Sequence, residues 1–227
     1  MPKVKICGLT TLEDAVVAVE AGVDLLGFIF YEKSSRYLEV TQARTIIAEL
    51  HRRYPTDPQK PAYRTVGVFV NETPAYMADI LAFTGLDWAQ LSGDEPVSAL
   101  KTLKNRAYKA LRPRSYAEAI TEGDIFASET PSCAPDILID SYRPGDYGGT
   151  GHRADWDIAA RVASEHRILL AGGLTPENVT EAMRVVRPWG VDVSSGVERA
   201  PGRKDHDKVR AFVRHARAAL LTSTHTT

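Results

Sequence analysis

Eight short apolar runs, each followed by a stretch with helical periodicity, constrain this chain more than any other feature. The runs read as strands near Val4–Cys7, Leu25–Phe30, Thr65–Val70, Ala89–Leu91, Tyr108–Leu111, Ile137–Asp140, Ile168–Ala171 and Val191–Ser194. Alternating β and α elements imply a parallel sheet. Parallel strands are buried on both faces, so they read as near-continuous hydrophobic runs, as most of these do. An open, doubly wound sheet is the alternative, but eight units in 227 residues favour closure, since about 200 to 250 residues suffice for a barrel. The expectation is one α/β domain over residues 1–227, a (β/α)8 TIM barrel of eight parallel strands.

The boundaries carry local signals. Thr10 with Glu13 suits a capping box. Thr73-Pro74 and Thr175-Pro176 each place a hydroxyl cap before a proline at the first helical position. Gly22 and Gly85 suit helix ends. Pro55–Pro61 and Asp124–Pro135 read as loops, and the polar tail Thr222–Thr227 as a frayed end.

Charge then limits the partners. The chain has 28 basic and 29 acidic residues, so neither nucleic acid nor a membrane surface is an expected partner. No apolar run reaches the roughly 18 residues of a membrane span. The opening Met1-Pro2-Lys3-Val4-Lys5 runs straight into a strand, leaving no room for a signal peptide. Two cysteines, Cys7 and Cys133, are too few for a disulfide framework and fit a reducing cytoplasm. The six histidines, His51, His152, His166, His206, His215 and His225, lack metal-ligand spacing, and most read as solvated. No metal is expected. Cys133 reads as an inert small side chain. The helix Val209–Leu220 sets Arg210, Arg214 and Arg217 on a solvated face opposite an apolar stripe.

In such a barrel the active site lies at the C-terminal ends of the strands. Side chains alternate along each strand. If Val4 and Ile6 face the helices, Lys5 and Cys7 face the interior. The same reasoning turns Gln90, Ser92, Lys109, Asp140 and Asp192 inward. Barrel interiors are normally filled by Val, Ile and Leu, so this polar set is informative. For Lys5 with Asp192 a plain buried ion pair is the competing reading. Glycine-rich turns follow the seventh and eighth strands: Gly172-Gly173, and Ser194-Ser195-Gly196. Those two loops, with a short helix N-terminus, are where barrels of this kind commonly hold phosphate.

Taken together, several segments resemble the phosphoribosylanthranilate isomerase family. They are Lys5-Ile6-Cys7-Gly8-Leu9-Thr10, Gly27-Phe28-Ile29-Phe30-Tyr31 with Ser34-Ser35-Arg36-Tyr37, Val66-Gly67-Val68-Phe69-Val70-Asn71, and Leu138-Ile139-Asp140 with Gly148-Gly149-Thr150-Gly151 and Asp155-Trp156. Ala171 to Val179, Val191 to Glu198 and Pro201-Gly202-Arg203-Lys204-Asp205 complete the likeness over nearly the whole chain. One position departs from it. Gln90-Leu91-Ser92-Gly93 has serine where the family usually has histidine.

The resemblance implies an Amadori rearrangement of N-(5-phosphoribosyl)anthranilate in tryptophan biosynthesis. It implies Asp140 as general acid, Cys7 as general base and Arg36 as partner of the anthranilate carboxylate. Asp192 becomes a pocket residue, and Gly172, Gly173, Ser194, Ser195 and Gly196 the phosphate site. No cofactor is implied, the partner is a small phosphoribosyl substrate, and the protein is expected as a monomer or homodimer. The chemistry asks for a protonated Asp140 and a partly ionised Cys7, with Lys5 or Lys109 as the neighbouring cation. Barrel isomerases of histidine precursors are a rival reading, but they use paired aspartates at the first and fifth strands, and Cys7 occupies the first of these positions. Indole-glycerol-phosphate synthase, and a sugar-phosphate binder without activity, are two more. The binder would not need both a cysteine and an aspartate at strand ends.

Overall fold

The computed structural model describes residues 1–55, 62–104, 106–127, 130, 133–140 and 156–219. The segments 56–61, 141–155 and 220–227 lie outside the described residues. They hold most of the expected Pro55–Pro61 loop, the Gly148–Gly151 motif with Asp155, and the Thr222–Thr227 tail.

The described chain alternates strand and helix. In order these are β1 (Lys3–Ile6), α1 (Leu12–Glu20), β2 (Leu25–Ile29), α2 (Val40–Arg53), β3 (Arg64–Phe69), α3 (Pro74–Thr84), β4 (Trp88–Leu91) and α4 (Val97–Thr102). There follow β5 (Ala107–Leu111), α5 (Tyr116–Ala127), β6 (Ile137–Ile139), α6 (Trp156–Ala163), β7 (Ile168–Leu170), α7 (Val179–Val186) and β8 (Gly190–Val193). A single 3-10 turn (Ser195–Val197) and a small hairpin, β9 (Glu198–Ala200) with β10 (Arg203–Lys204), precede α8 (His206–Ala218). Each main strand pairs in parallel with the next. β1 also pairs with β8, Lys5 opposite Asp192, which closes the barrel. No helix among the described residues is long and apolar enough to cross a membrane.

Two apolar layers follow from strand alternation. Val4, Ile6, Leu26, Phe28, Ala89 and Leu91 pack outward with helix residues such as Ile47, Met77 and Phe212. Leu25, Val66, Trp88, Tyr108, Ala110, Leu138 and Leu169 form a separate interior cluster. Lys109 is therefore not inward, contrary to expectation. Its Nζ lies outside the sheet, donating to Glu95 at 2.7 Å and to the Gly93 carbonyl. The run Ala107-Tyr108-Lys109-Ala110-Leu111 has apolar residues at both parities, and the bulk of Tyr108 took the interior.

The helix starts also differ in places. Thr73 caps α3 as expected, its hydroxyl accepting from the Tyr76 amide, and Gly85 closes α3 in the left-handed region. The cap of α1 is Thr11, not Thr10, and it accepts from the Asp14 amide. Thr10 instead donates to the Gly202 carbonyl, joining this loop to the β9–β10 hairpin. Thr175 accepts from the Glu177 amide in a turn ahead of α7, which begins at Val179. α5 runs through Ala127, into the segment expected as loop, because Phe126 packs against the core. On α8, Arg210 and Arg214 are exposed while Arg217 turns down to Asp24 and the Gly22 carbonyl. His206 and His215 are also held, by Asp14 and the Pro176 carbonyl.

Candidate active site

At the C-terminal ends of the strands a pocket, partly open to solvent, enters the barrel. β1, the loop after β2, and β8 supply Cys7, Arg36 and Asp192. β4, β5 and β6 lead into Ser92, Arg112 and Asp140. The turns after β7 and β8 supply Gly172, Gly173, Ser194, Ser195 and Gly196. Every site residue expected from the sequence thus meets at one mouth. Among the described residues there is no group of three or more His, Cys, Asp or Glu side chains placed to hold a metal ion.

Cys7 follows β1 directly, its amide donating to the Val193 carbonyl of β8 at 2.9 Å. The thiol is nearly buried. Room for it comes from Gly27 on β2, where a Cβ would lie 2.8 Å from the sulfur. Burial pushes the thiol pKa above its usual value. Lys5 pulls it down, Asp192 pushes it up and Lys204 pulls it down, and the balance stays raised. Lys109 takes no part, because it lies outside the barrel wall.

Beneath Cys7 lies a polar floor. Lys5, fully buried, donates to Asp192 and to Gln90 Oε1, each at 2.8 Å. Burial opposes its charge, but Asp192 and then Cys7 and Tyr108 more than offset that, so its pKa is raised. Gln90 Oε1 also accepts from the Tyr108 hydroxyl at 2.9 Å, and Gln90 Nε2 donates to Ser92 Oγ at 3.0 Å. Ser92, where the family usually has histidine, thus ends a hydrogen-bonded chain that starts at Lys5. The two readings of Lys5, ion pair and neighbour of Cys7, hold together. Two buried atoms at this mouth, Asp192 Oδ1 and Ser194 Oγ, have no hydrogen-bond partner in the described structure. Buried polar atoms are normally paired, so both are disposed to meet a polar ligand.

The two glycine turns have backbone reasons. Gly172 and Gly173 have φ of 86° and 64°, a region costly for other residues. At Gly196 a Cβ would lie 1.9 Å from the Leu174 carbonyl oxygen, so the β8 turn packs directly on the β7 turn. Arg36 stands on the loop after β2, its Nε and Nη2 forked onto the Glu198 carboxylate at 2.8 and 2.7 Å.

A family model described as N-(5'-phosphoribosyl)anthranilate (PRA) isomerase matches residues 4–215. The chain belongs to the phosphoribosylanthranilate isomerase family. Its similarity to the N-(5'-phosphoribosyl)anthranilate isomerase of Trichlorobacter lovleyi is 48 % identity over 221 residues, 97 % of this chain and 100 % of that protein. With the Geobacter sulfurreducens isomerase it is 46 % over 219 residues, 96 % and 99 %. The crystal structure of phosphoribosylanthranilate isomerase from Thermotoga maritima is similar at a TM-score of 0.82 and 39 % identity, covering 96 % of this chain and 100 % of that one. A second isomerase structure, in complex with reduced 1-(o-carboxyphenylamino)-1-deoxyribulose 5-phosphate, matches at 0.79 and 38 %, with 96 % and 100 % covered. These isomerases share one barrel over essentially their whole length.

Within this isomerase fold, Glu198 and Lys204 had no role in the sequence reading, although both fall inside segments that resemble the family. Neither lies on a main barrel strand, and neither lines the pocket. They contact Arg36 and the Ser194 carbonyl, a pairing that no strand pattern signals. Gly27 was legible only as motif; its function as space for a neighbour's thiol needs the β1–β2 register, which places it beside Cys7.

Proposed function

We propose that this chain, as a single phosphate-binding barrel domain over residues 1–227, converts N-(5'-phosphoribosyl)anthranilate to 1-(2-carboxyphenylamino)-1-deoxyribulose 5-phosphate in tryptophan biosynthesis. Asp140 is the general acid and Cys7 the general base. The observation that carries this reading is the meeting of both groups in one pocket of a chain whose family match spans residues 4–215.

The steps follow from that placement. Asp140 gives its proton to the furanose ring oxygen, and the bond from C1' to that oxygen breaks. The anthranilate nitrogen supplies its lone pair and becomes a protonated Schiff base. The Cys7 thiolate takes the proton from C2', and the electron pair left behind neutralises the iminium as an enolamine. Loss of the enol proton at oxygen and gain of one at C1' give the ketone. The hydrogen and oxygen count is unchanged throughout. This asks for an acid and a base at fixed positions and for no redox partner.

The rest of the pocket holds the substrate. The turns Gly172-Gly173 and Ser194-Ser195-Gly196 suit a phosphate, since glycine lets backbone amides approach an anion closely. Arg36 takes the anthranilate carboxylate, a match of planar fork to carboxylate. Asp192 Oδ1 is available to a sugar hydroxyl. The same reading has the enzyme in the cytoplasm, without cofactor, acting as monomer or homodimer on a small phosphoribosyl molecule, with no nucleic acid or membrane as partner. Purified protein should extinguish the fluorescence of N-(5'-phosphoribosyl)anthranilate. Protein that binds the substrate analogue but leaves the fluorescence unchanged is a binder, not an isomerase, and refutes the proposal.

A further inference from the structure

Arg36 sits on a loop, yet its guanidinium is held firmly. Glu198 occupies its side edge, taking the hydrogens of Nε and Nη2 at 2.8 and 2.7 Å. Both side chains are largely buried, at 12 % and 5 % exposure. Glu198 is itself anchored. Its Oε1 accepts from Lys204 Nζ at 2.9 Å, and the same Nζ donates to the Ser194 carbonyl at 3.1 Å. Lys204 is fully buried. The aliphatic part of Arg36 lies over Gly8, where a Cβ would come within 2.7 Å of Cδ. The fork therefore has one seat.

A guanidinium has five N–H donors and two edges that can each face a carboxylate. With the side edge taken, both Nη1 hydrogens and one on Nη2 remain, and one from each nitrogen forms the end edge. Among the described residues Nη1 meets Ser35 Oγ alone, at a long 3.4 Å on the exposed side. Charge points the same way. Burial alone would raise the carboxyl pKa of Glu198, but Arg36 and Lys204 more than offset it and hold it below the usual range. One carboxylate between two cations leaves one positive charge over, which a single substrate carboxylate would neutralise.

We propose that Glu198, anchored by Lys204, is the positioning residue that aims the end edge of Arg36 at the aromatic carboxylate and so sets the enzyme's preference for an ortho-carboxylated amine. Through the Ser194 carbonyl, the same lysine ties this aim to the turn assigned to phosphate, so the two ends of the substrate are gripped at a fixed separation. The inference rests on the reading of Arg36 given above and deepens it.

The test uses the full chain and two inhibitors: reduced 1-(o-carboxyphenylamino)-1-deoxyribulose 5-phosphate, and the same molecule with hydrogen in place of the ring carboxylate. Wild-type protein should prefer the first by at least about tenfold. In Glu198→Gln that preference should shrink at least about fivefold, with a similar rise in KM and a change in kcat below about threefold. A residue that merely supports the fold would weaken both inhibitors alike, so an unchanged preference overturns the proposal. Arg36→Met separates the layers. Preference lost in Arg36→Met but retained in Glu198→Gln overturns the positioning role alone. Preference retained in both overturns the Arg36 reading and this inference with it. If Glu198→Gln does not fold, Glu198→Asp keeps the charge but withdraws it by one methylene. It should lose part of the preference, and full wild-type preference there also overturns the proposal.

Discussion

The thiol of Cys7 is held between opposing influences, and its response to pH follows from them. Burial and Asp192 favour the neutral thiol, while Lys5 and Lys204 favour the thiolate. In the proposed mechanism the base must be deprotonated, so kcat/KM should rise with pH as Cys7 ionises, with its limb above the ordinary thiol range. Asp192→Asn removes a negative neighbour and frees the charge of Lys5. Both changes favour thiolate, so the limb should move to lower pH by about one unit; a pH–rate profile in which it moves upward refutes this account. Cys7→Ser and Asp140→Asn should each lower kcat by at least about a hundredfold with little change in substrate affinity, as measured by turnover and inhibitor binding. Gly27→Ala puts a methyl within contact of the Cys7 sulfur. It should cut kcat by about tenfold or more, since small displacements of a reacting group are costly. Ser92→His should change KM more than kcat, because Ser92 touches Gln90 at the end of the polar floor. A large gain in kcat would show that position 92 belongs to the chemistry. That Cys7, Asp140 and Arg36 would share one mouth could be read from the sequence, because strand ends and a family resemblance mark them. The contacts of Glu198 and Lys204 could not, because both meet other residues and not the pocket.

Among the elements, the ends of the barrel opposite the pocket show a repeated device. Asp24, Asp87 and Asp136 each stand just before an even-numbered strand. Each accepts the backbone N–H of a residue at the start of a neighbouring odd-numbered one, from Val4 (2.9 Å), Thr65 (2.7 Å) and Arg167 (2.7 Å) respectively. Lys3, Arg64 and Arg167 pair with the same carboxylates. Asp87→Ala leaves a strand amide and a cation without their acceptor, and should lower stability by about 1–3 kcal/mol with kcat unchanged, read by denaturant melts and turnover. Strand existence was plain in the sequence because most of the runs are nearly continuously apolar. The facing of a strand was plain only where one parity is polar. Lys5 in β1 and Gln90 in β4 settle theirs, whereas Ala107 to Leu111 offers apolar residues at both parities and misdirected Lys109. Helix starts slipped by a residue or more for a related reason: Thr10 and Thr11 are equally good caps on paper, and the choice is made by the hairpin carbonyl that Thr10 meets instead.

For the molecule as a whole, the seam between β1 and β8 joins residues 187 positions apart through Lys5 and Asp192. Lys5→Met should cost about 3–5 kcal/mol, because it strands a buried carboxylate. Adding Asp192→Leu should restore much of that stability but not the activity, a contrast that thermal melts and turnover resolve. Closure has a consequence in time as well. Within the barrel, the strand that leads into Cys7 is synthesised before the other seven, and its partner across the seam after them. Contacts between distant parts of a chain form slowly, after their loop-closure entropy has been met. Until the ring shuts, Cys7 has no β8 backbone to hold it and no Lys5–Asp192 pair beneath it. Nascent or truncated chains that stop short of β8 should therefore be catalytically silent, and appearance of turnover during synthesis or refolding would report ring closure itself.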